Sequence, residues 1–239
     1  MNLFYCPDIH SSDILLSPGE SAHCVRVLRL GKGEKVQVMD GKGGLFEAVI
    51  ANPDARQCHL EITGSAILPP ARNFNLHIVI APTRSIDRFE WFIEKSVEIG
   101  IDTITPLLCQ RSERRVLKTD RLQKLIIATM KQAQVLYLPL LNELTDLGEF
   151  IRNYSGPREN RFIAHCGDTP RQKLQEAIQA GKDSVVMIGP EGDFTPEEVE
   201  LAINKGFTPV SLGQNRLRTE TAGVVVCNSL ILLNELIQA

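Results

Sequence analysis

Residues 184–213 read "SVVMIGPEGDFTPEEVELAINKGFTPVSLG", two apolar β-branched runs flanking one helix with its own start signals. "SVVMIG" is too apolar to alternate, as expected of a strand covered on both faces. Thr195, Pro196 and Glu198 then supply an N-cap, a proline at the first helical position and the acid of a capping box. "TPVSLG" returns to strand. A strand-helix-strand unit of this kind argues for a mainly parallel sheet with helices on both faces.

The same alternation continues on either side. "LHIVIA" (76–81) is a second buried strand, and "SIDRFEWFIEKSVEIG" (85–100) places Phe89, Phe92, Ile93 and Val97 at helical spacing before Gly100 ends the helix. Strand "TITPLL", a basic loop and a helix from about Thr119 to Val135 follow. "RFIAH" is a further strand. "DTPRQKLQEAIQAG" (168–181) reads as a helix capped by Thr169, with Pro170 first and Gly181 last. The apolar tail predicts a closing helix.

Upstream of the linker "ILPPARNFN" the pattern is different. A short helix begins at Ser17-Pro18 with Glu20 as box acid, ends at a left-handed Gly31, and carries His23, Arg26 and Arg29 at steps of three. Two alternating runs meet at Asp40-Gly41, a hairpin signal, and "QCHLEI" adds a strand. Several short strands in so few residues suggest a small barrel. The expected domains are residues 1–70, a β-barrel, and 71–239, the α/β sheet.

A chain of 239 residues buries enough surface to need no staples. Its six cysteines, at 6, 24, 58, 109, 166 and 227, are too scattered for a disulfide framework or zinc ribbon and read as core thiols in a reducing compartment. "MNLFYCPDIH" lacks a basic stretch followed by an apolar one, so no signal peptide is expected, and Asn228 and Ser229 interrupt the tail short of the ~18 apolar residues of a membrane span. The expected location is cytoplasmic, without a membrane. A net charge of -3 argues against a general polyanion binder. Residues 26–42 nevertheless hold five basic and two acidic groups, and residues 111–124 hold six and two. Either stretch alone is a solvated face; together they raise the question of nucleic acid.

Ligands of open α/β sheets sit beyond the carboxyl ends of the strands. Three such ends stand out: "IAPTRS" (80–85), "IGPEGDF" (188–194) and "LGQNRLR" (212–218). Glycine lets a ligand approach the backbone, and the start of the next helix leaves N–H donors free. No Walker loop, G-x-G-x-x-G, H-E-x-x-H, Cys/His cluster or G-x-S-x-G is present, so nucleotide cradling, metal and a nucleophile elbow are all disfavoured. A pocket of backbone groups flanked by arginines remains.

"IGPEGDFTPEEVELA" with "LGQNRLRTETA" resembles the RsmE family of ribosomal RNA methyltransferases, which make 3-methyluridine in 16S rRNA. "EKSVEIGIDTITPLLCQRS", Phe4-Tyr5 and "HCVRVLRLGKGE" are similar to further family segments, so the likeness runs the length of the chain. The resemblance implies a PUA-like β-barrel for RNA followed by a SPOUT methyltransferase domain with a deep C-terminal trefoil knot, a topology that ordinary connection rules exclude. It also implies a homodimer, 16S ribosomal RNA or the small ribosomal subunit as partner, no metal, and S-adenosylmethionine bent among the three tips. Ile80 and Pro82 on the first tip, Ile188, Gly189, Pro190 and Gly192 on the second, and Leu212, Gly213 and Leu217 on the third would contact it.

The same resemblance places Arg218 and Glu220 in the transfer pocket and makes Thr219 the cap of the tail helix. Arg218, with Arg216 second, would stabilise charge on the uridine carbonyls, and Glu220 or Glu191 would accept the N3 proton. On the plainer reading Arg218 and Glu220 form a salt bridge, with the acid favoured at a helix N-terminus by about 0.3–1 kcal/mol. His23, Arg26, Arg29 and Lys32 are candidates for RNA phosphates in the barrel, as are Arg111, Arg114, Arg115 and Arg216 near the pocket. The chain departs from the family pattern at Asn215-Arg216, at Val135 and at Asp193, where a second glycine is usual. A non-enzymatic RNA-binding or ribosome-assembly factor, and a SPOUT enzyme acting on another RNA position, stand beside the methyltransferase reading.

Replacing Arg26 and Arg29 together is expected to weaken RNA binding and leave cofactor affinity unchanged. Each lost phosphate contact should flatten the salt dependence by roughly 0.7–0.9. An unaltered RNA affinity across a salt titration removes this domain from RNA recognition.

Overall fold

Chain order and hydrogen bonding divide the N-terminal region into β1 (Leu3–Tyr5), β2 (Asp13–Leu15), α1 (Pro18–Ala22), a π-helical turn (His23–Val27), β3 (Lys35–Met39), β4 (Gly44–Asn52) and β5 (His59–Ile67). The structure, a computed structural model, describes residues 1–156 and 158–238, the last two by backbone alone. The five strands form one curled sheet in the order β1-β3-β4-β5-β2, with β1 parallel to β3 and the other pairs antiparallel. Phe4, Val36, Val38, Ile50 and Leu60 are fully buried within it. Asp40 closes the β3–β4 hairpin by accepting from the N–H groups of Lys42 (2.7 Å) and Gly44 (2.9 Å).

The first helix departs from its expected form. Ser17 caps it, accepting from Glu20 N, but the Glu20 carboxylate accepts from Tyr5 N and Lys131 Nζ instead of closing a capping box. The chain then widens into the π turn, where Leu28 N donates to His23 O at 2.9 Å. Arg29, at φ 56°, takes the left-handed position expected of Gly31. A wide turn does not stack residues three apart, so His23, Arg26 and Arg29 lose their common helical side; all three stay exposed. One compact unit consists of Met1–Ala71 together with Ile127–Leu138. The second segment joins it through Gly43 N to Leu136 O, Leu138 N to Gly41 O, and Tyr137 Oη to Leu68 O.

The other unit comprises Arg72–Ile126 and Pro139–Ala239. Its elements are β6 (Leu76–Ile80), α2 (Ile86–Ile99), β7 (Thr103–Leu108), α3 (Thr119–Ala133, shared with the first unit), β8 (Leu140–Leu141), β9 (Thr145–Asp146), α4 (Leu147–Asn153), β10 (Asn160–Ala164), β11 (Gln172–Lys173), α5 (Leu174–Ala177), β12 (Ser184–Ile188), α6 (Pro196–Asn204), β13 (Thr208–Ser211) and α7 (Thr219–Gln238). The sheet runs β11-β13-β10-β12-β6-β7-β8, parallel throughout, with β9 also beside β7. Strand alternation sends Val79, Val185, Met187 and Ile163 to a core with Phe150 and Ile151 of α4 and Val199 and Ala202 of α6. The opposite face is covered by α2 and α7, where Gly223 lies against Phe92 and Ile80. Among the described residues no helix is long and apolar enough to cross a membrane.

The helix expected over 168–181 does not form. Gln172 and Lys173 pair in parallel with Val210 and Ser211, so the sheet edge takes the backbone groups a helix would have used, leaving only the four-residue α5. Thr169 therefore caps nothing, and Gly181 (φ 73°) sits in a turn. The linker is also more engaged than its composition suggests. Arg72 donates to the carbonyls of Phe74 and Gly100 and to Asp102, whose carboxylate also receives Leu76 N. Five cysteines are buried, and burial pushes the thiols of Cys24 and Cys227 up to about 12; Cys166, expected in the core, is exposed just beyond β10.

Gly223 supplies a direct test of the α7 contact. A Cβ there would lie 2.4 Å from a buried Phe92 ring carbon and 3.0 Å from Ile80 Cδ1. Overpacking costs about 1–3 kcal/mol against about 1 kcal/mol gained in helix propensity. Gly223→Ala should thus lower the urea midpoint at unchanged m value; equal or greater stability would mean that α7 packs less closely.

Candidate functional site

Because β13, β10 and β12 are neighbours in a parallel sheet, their carboxyl ends open side by side. Beyond them lies a cavity of about 450 Å³. The β12 tip contributes Ile188, Gly189, Pro190, Glu191 and Asp193; the β13 tip contributes Leu212, Gly213 and residues 214–218; the β10 tip contributes Ala164, His165 and Cys166. The β12 tip is held from behind by the capping box of α6, in which Thr195 Oγ1 accepts from Glu198 N and Glu198 accepts from Thr195 N. Gly189 leaves little room for a side chain, since a Cβ would meet the Phe194 ring at 3.1 Å.

Of the residues expected to meet a ligand, Ile188, Gly189, Pro190, Leu212, Gly213, Leu217, Arg216, Arg218 and Glu191 line this one cavity. Ile80, Pro82, Gly192 and Glu220 do not. The first tip instead lies alongside the second: Ala81 N donates to Ile188 O (2.9 Å), and Arg84 N donates to Glu191 Oε1 (2.9 Å). Gly192 offers its carbonyl to Arg111 Nη1 at 2.8 Å. Arg114 spends Nε and Nη2 on the carbonyls of Thr83 and Arg84, and Arg115 reaches Gln110 O at 3.5 Å. These arginines brace the loops around the site. His23, Arg26, Arg29 and Lys32 are exposed on the N-terminal unit.

Thr219 does not cap α7. It is the first helical residue, and its buried hydroxyl donates to Gly189 O at 3.1 Å, tying the helix start to the β12 tip. Arg218 is exposed, and the helix opens with Ala222 N on its carbonyl (2.8 Å). The Arg218–Glu220 salt bridge is absent. Glu220 is 6% exposed, its Oε1 lies 3.8 Å from Arg88 Nε, and its Oε2 is buried without a hydrogen-bond partner among the described residues.

Asp193 occupies the left-handed region at φ 62°, which aspartate tolerates better than most residues. Its Oδ2 accepts from Cys166 N (2.8 Å) and its Oδ1 from Phe194 N (2.9 Å), joining the β12 and β10 tips. His165 forms part of the β10 wall and is 5% exposed; its Nδ1 accepts from Gly167 N at 3.1 Å, so in the neutral ring Nε2 carries the proton. Burial lowers its pKa, with Asp193 opposing and Arg171 reinforcing the shift. The sequence pattern hides this wall, because 168–181 reads as a helix; the strand "RFIAH" and its polar end are the signal that points to it. Among the described residues no group of three His, Cys, Asp or Glu is placed to hold a metal ion. The lining can grip a ligand with backbone groups, apolar contacts from Ile188, Leu212 and Leu217, and fixed charges.

Two family models match the chain, an RNA methyltransferase domain over residues 70–231 and an RNA methyltransferase PUA domain over residues 16–63. The crystal structure of a probable rRNA-methyltransferase from Porphyromonas gingivalis is 38% identical, covers 99% of this chain and 100% of its own, and superposes with a TM-score of 0.91. The ribosomal RNA small subunit methyltransferase E of Neisseria gonorrhoeae, solved with S-adenosyl methionine bound, is 27% identical over 98% of each chain at a TM-score of 0.85. The protein of that name from Synechocystis is 28% identical over 91% of this chain and 72% of its own.

The backbone at Asp193 can be checked by paired substitutions. Glycine and alanine both remove the two carboxylate bonds, but only alanine is strained at this φ, so Asp193→Ala should be less stable than Asp193→Gly by about 1 kcal/mol. Equal urea midpoints would show that the residue is not left-handed in solution.

Proposed function

The chain belongs to the RsmE family of RNA methyltransferases, and from that premise we propose that it transfers the methyl group of S-adenosylmethionine to N3 of a uridine in 16S ribosomal RNA of the small subunit. The observation that carries the reading is the cavity itself, at which backbone groups of the β12 and β13 tips converge beside two arginines. Its volume of about 450 Å³ suits a nucleoside-sized ligand. Gly189, Pro190, Leu212, Gly213 and Leu217 would hold the donor. When bound, it supplies a methyl group on a positively charged sulfur, ready for attack by nitrogen.

The chain's own work is then to position and to manage charge. Uridine N3 must lose its proton, and the resulting negative charge spreads to the flanking carbonyl oxygens. Arg218, exposed on the cavity rim and without an ion-pair partner among the described residues, stabilises that charge, with Arg216 beside it. Glu191 accepts the proton, directly or through water, since of the two candidate carboxylates it is the one on the cavity. Glu220 holds Arg88 and orients the start of α7.

N3 lies on the pairing edge, so the target must be unpaired or flipped from its helix. We assign phosphate contacts to His23, Arg26, Arg29 and Lys32 of the small β unit, matched by the PUA family model. Arg111, Arg114 and Arg115 serve mainly as loop braces that keep spare donors for RNA. A homodimer belongs to the same reading: α7 leaves Leu232 and Leu236 exposed, an apolar surface suited to a second copy. So does a knotted C-terminus, which accords with α7 returning against β6 and β12 after leaving the strand tips.

Small subunits from a deletion strain, treated with the protein and S-adenosylmethionine, should gain one methyl group on a single 16S uridine by mass mapping. Arg218→Ala should lower kcat about 10²–10³-fold at unchanged donor affinity. Failure to bind S-adenosylmethionine in a titration would leave a non-enzymatic RNA-binding factor, and a methyl group on another nucleotide would reassign the substrate.

A further inference from the structure

We propose that Arg171 is the anion-binding residue of the cavity, presenting its guanidinium to an oxyanion of a bound ligand, either the carboxylate of the methyl donor or a phosphate of the RNA strand. The inference rests on the methyltransferase reading and adds to it a residue that the sequence had placed inside a helix.

Three observations converge on it. The chain after β10 passes β13 and runs parallel to its far edge as β11, with Gln172 opposite Val210, which fixes the neighbouring Arg171 against the wall formed by the β13 tip. Arg171 Nη1 donates to His165 O at 2.5 Å, and among the described residues this is its one hydrogen bond. The guanidinium is thus anchored at one corner while its other donors stay available; a planar fork held this way loses little freedom when it takes an oxyanion in bidentate fashion.

The charges around the cavity supply the third argument. Arg171, Arg216 and Arg218 line it together with Glu191 and Asp193. Both carboxylates are already engaged by backbone N–H groups, Glu191 by Arg84 and Asp193 by Cys166 and Phe194. None of the three arginines forms an ion pair among the described residues. A ligand with an oxyanion supplies the missing partner. All three arginines are exposed, but Arg171 is favoured for it because it is fixed through both its backbone neighbour and its side chain, whereas Arg216 and Arg218 have no side-chain hydrogen bond or ion pair among the described residues.

The test compares wild type with Arg171→Gln in three titrations: S-adenosylmethionine, 5′-methylthioadenosine, which lacks the amino-acid end, and a single-stranded RNA oligonucleotide. A fall of about 10- to 100-fold for S-adenosylmethionine with methylthioadenosine unchanged identifies the donor carboxylate. A fall for RNA with a salt slope reduced by about 0.7, both nucleosides unchanged, identifies a phosphate. Equal losses for S-adenosylmethionine and methylthioadenosine, the mark of a merely structural role, overturn the proposal, as does no change in any titration. Should Arg171→Gln fail to fold, Arg171→Lys, which keeps the charge and loses the fork, replaces it: a fall for S-adenosylmethionine with methylthioadenosine unchanged, or a fall for RNA alone at an unchanged salt slope, identifies the same two sources, and no change overturns the proposal. A wild-type protein that binds none of the ligands refutes the methyltransferase reading instead.

Discussion

A parallel sheet covered on both faces can present polar groups only at the ends of its strands. β12 is buried along its whole length, and its partners β6 and β10 are nearly so. Peptide groups inside the sheet pair with one another; those at the tips have no strand to continue into and must find caps, side chains or a ligand. The site follows from that constraint. Three adjacent tips, from β13, β10 and β12, leave their last backbone groups around a shared space.

What holds the tips apart is as specific as what brings them together. Thr219 Oγ1 donates to Gly189 O, so the first turn of α7 is pinned to the β12 tip by a buried hydroxyl. Asp193 spans from the β12 tip to Cys166 on the β10 tip. Arg171 reaches from the edge of β13 to the His165 carbonyl. Each neighbouring pair of walls therefore shares at least one polar tie.

The alternation of apolar runs and capped helices could be read directly, and β6, β12, β13, α2 and α6 formed where their local chemistry put them. Thr195-Pro196 with Glu198 is a start signal that depends on nothing outside four residues. The misreadings occur where a distant partner decides. The segment at 168–181 carries a plausible cap and an amphipathic run, yet two backbone pairs to Val210 and Ser211 turn it into an edge strand. Glu20 has the spacing of a box acid, yet Lys131, far along the chain, takes its carboxylate. Glu220 looked like the natural partner of Arg218, but the helix start buries it toward Arg88. For the site, the glycine-bearing tips were readable from composition; the β10 wall was not, because its histidine and arginine acquire meaning only once β10 stands between β12 and β13.

Asp193 shows how a local cost can be absorbed by the architecture around it. A non-glycine residue at φ 62° is strained relative to glycine by about 1 kcal/mol. In return the carboxylate accepts two backbone N–H groups, and hydrogen bonds to a charged acceptor contribute about 1.5–3 kcal/mol each when well formed. The balance favours aspartate even after discounting for its partial exposure. The consequence reaches beyond stability, because one of the two donors belongs to the next strand tip. A glycine at this position would bend as readily but could not reach Cys166, and the β10 wall, with His165 and the arginine anchored to it, would lose its fixed distance from the β12 tip.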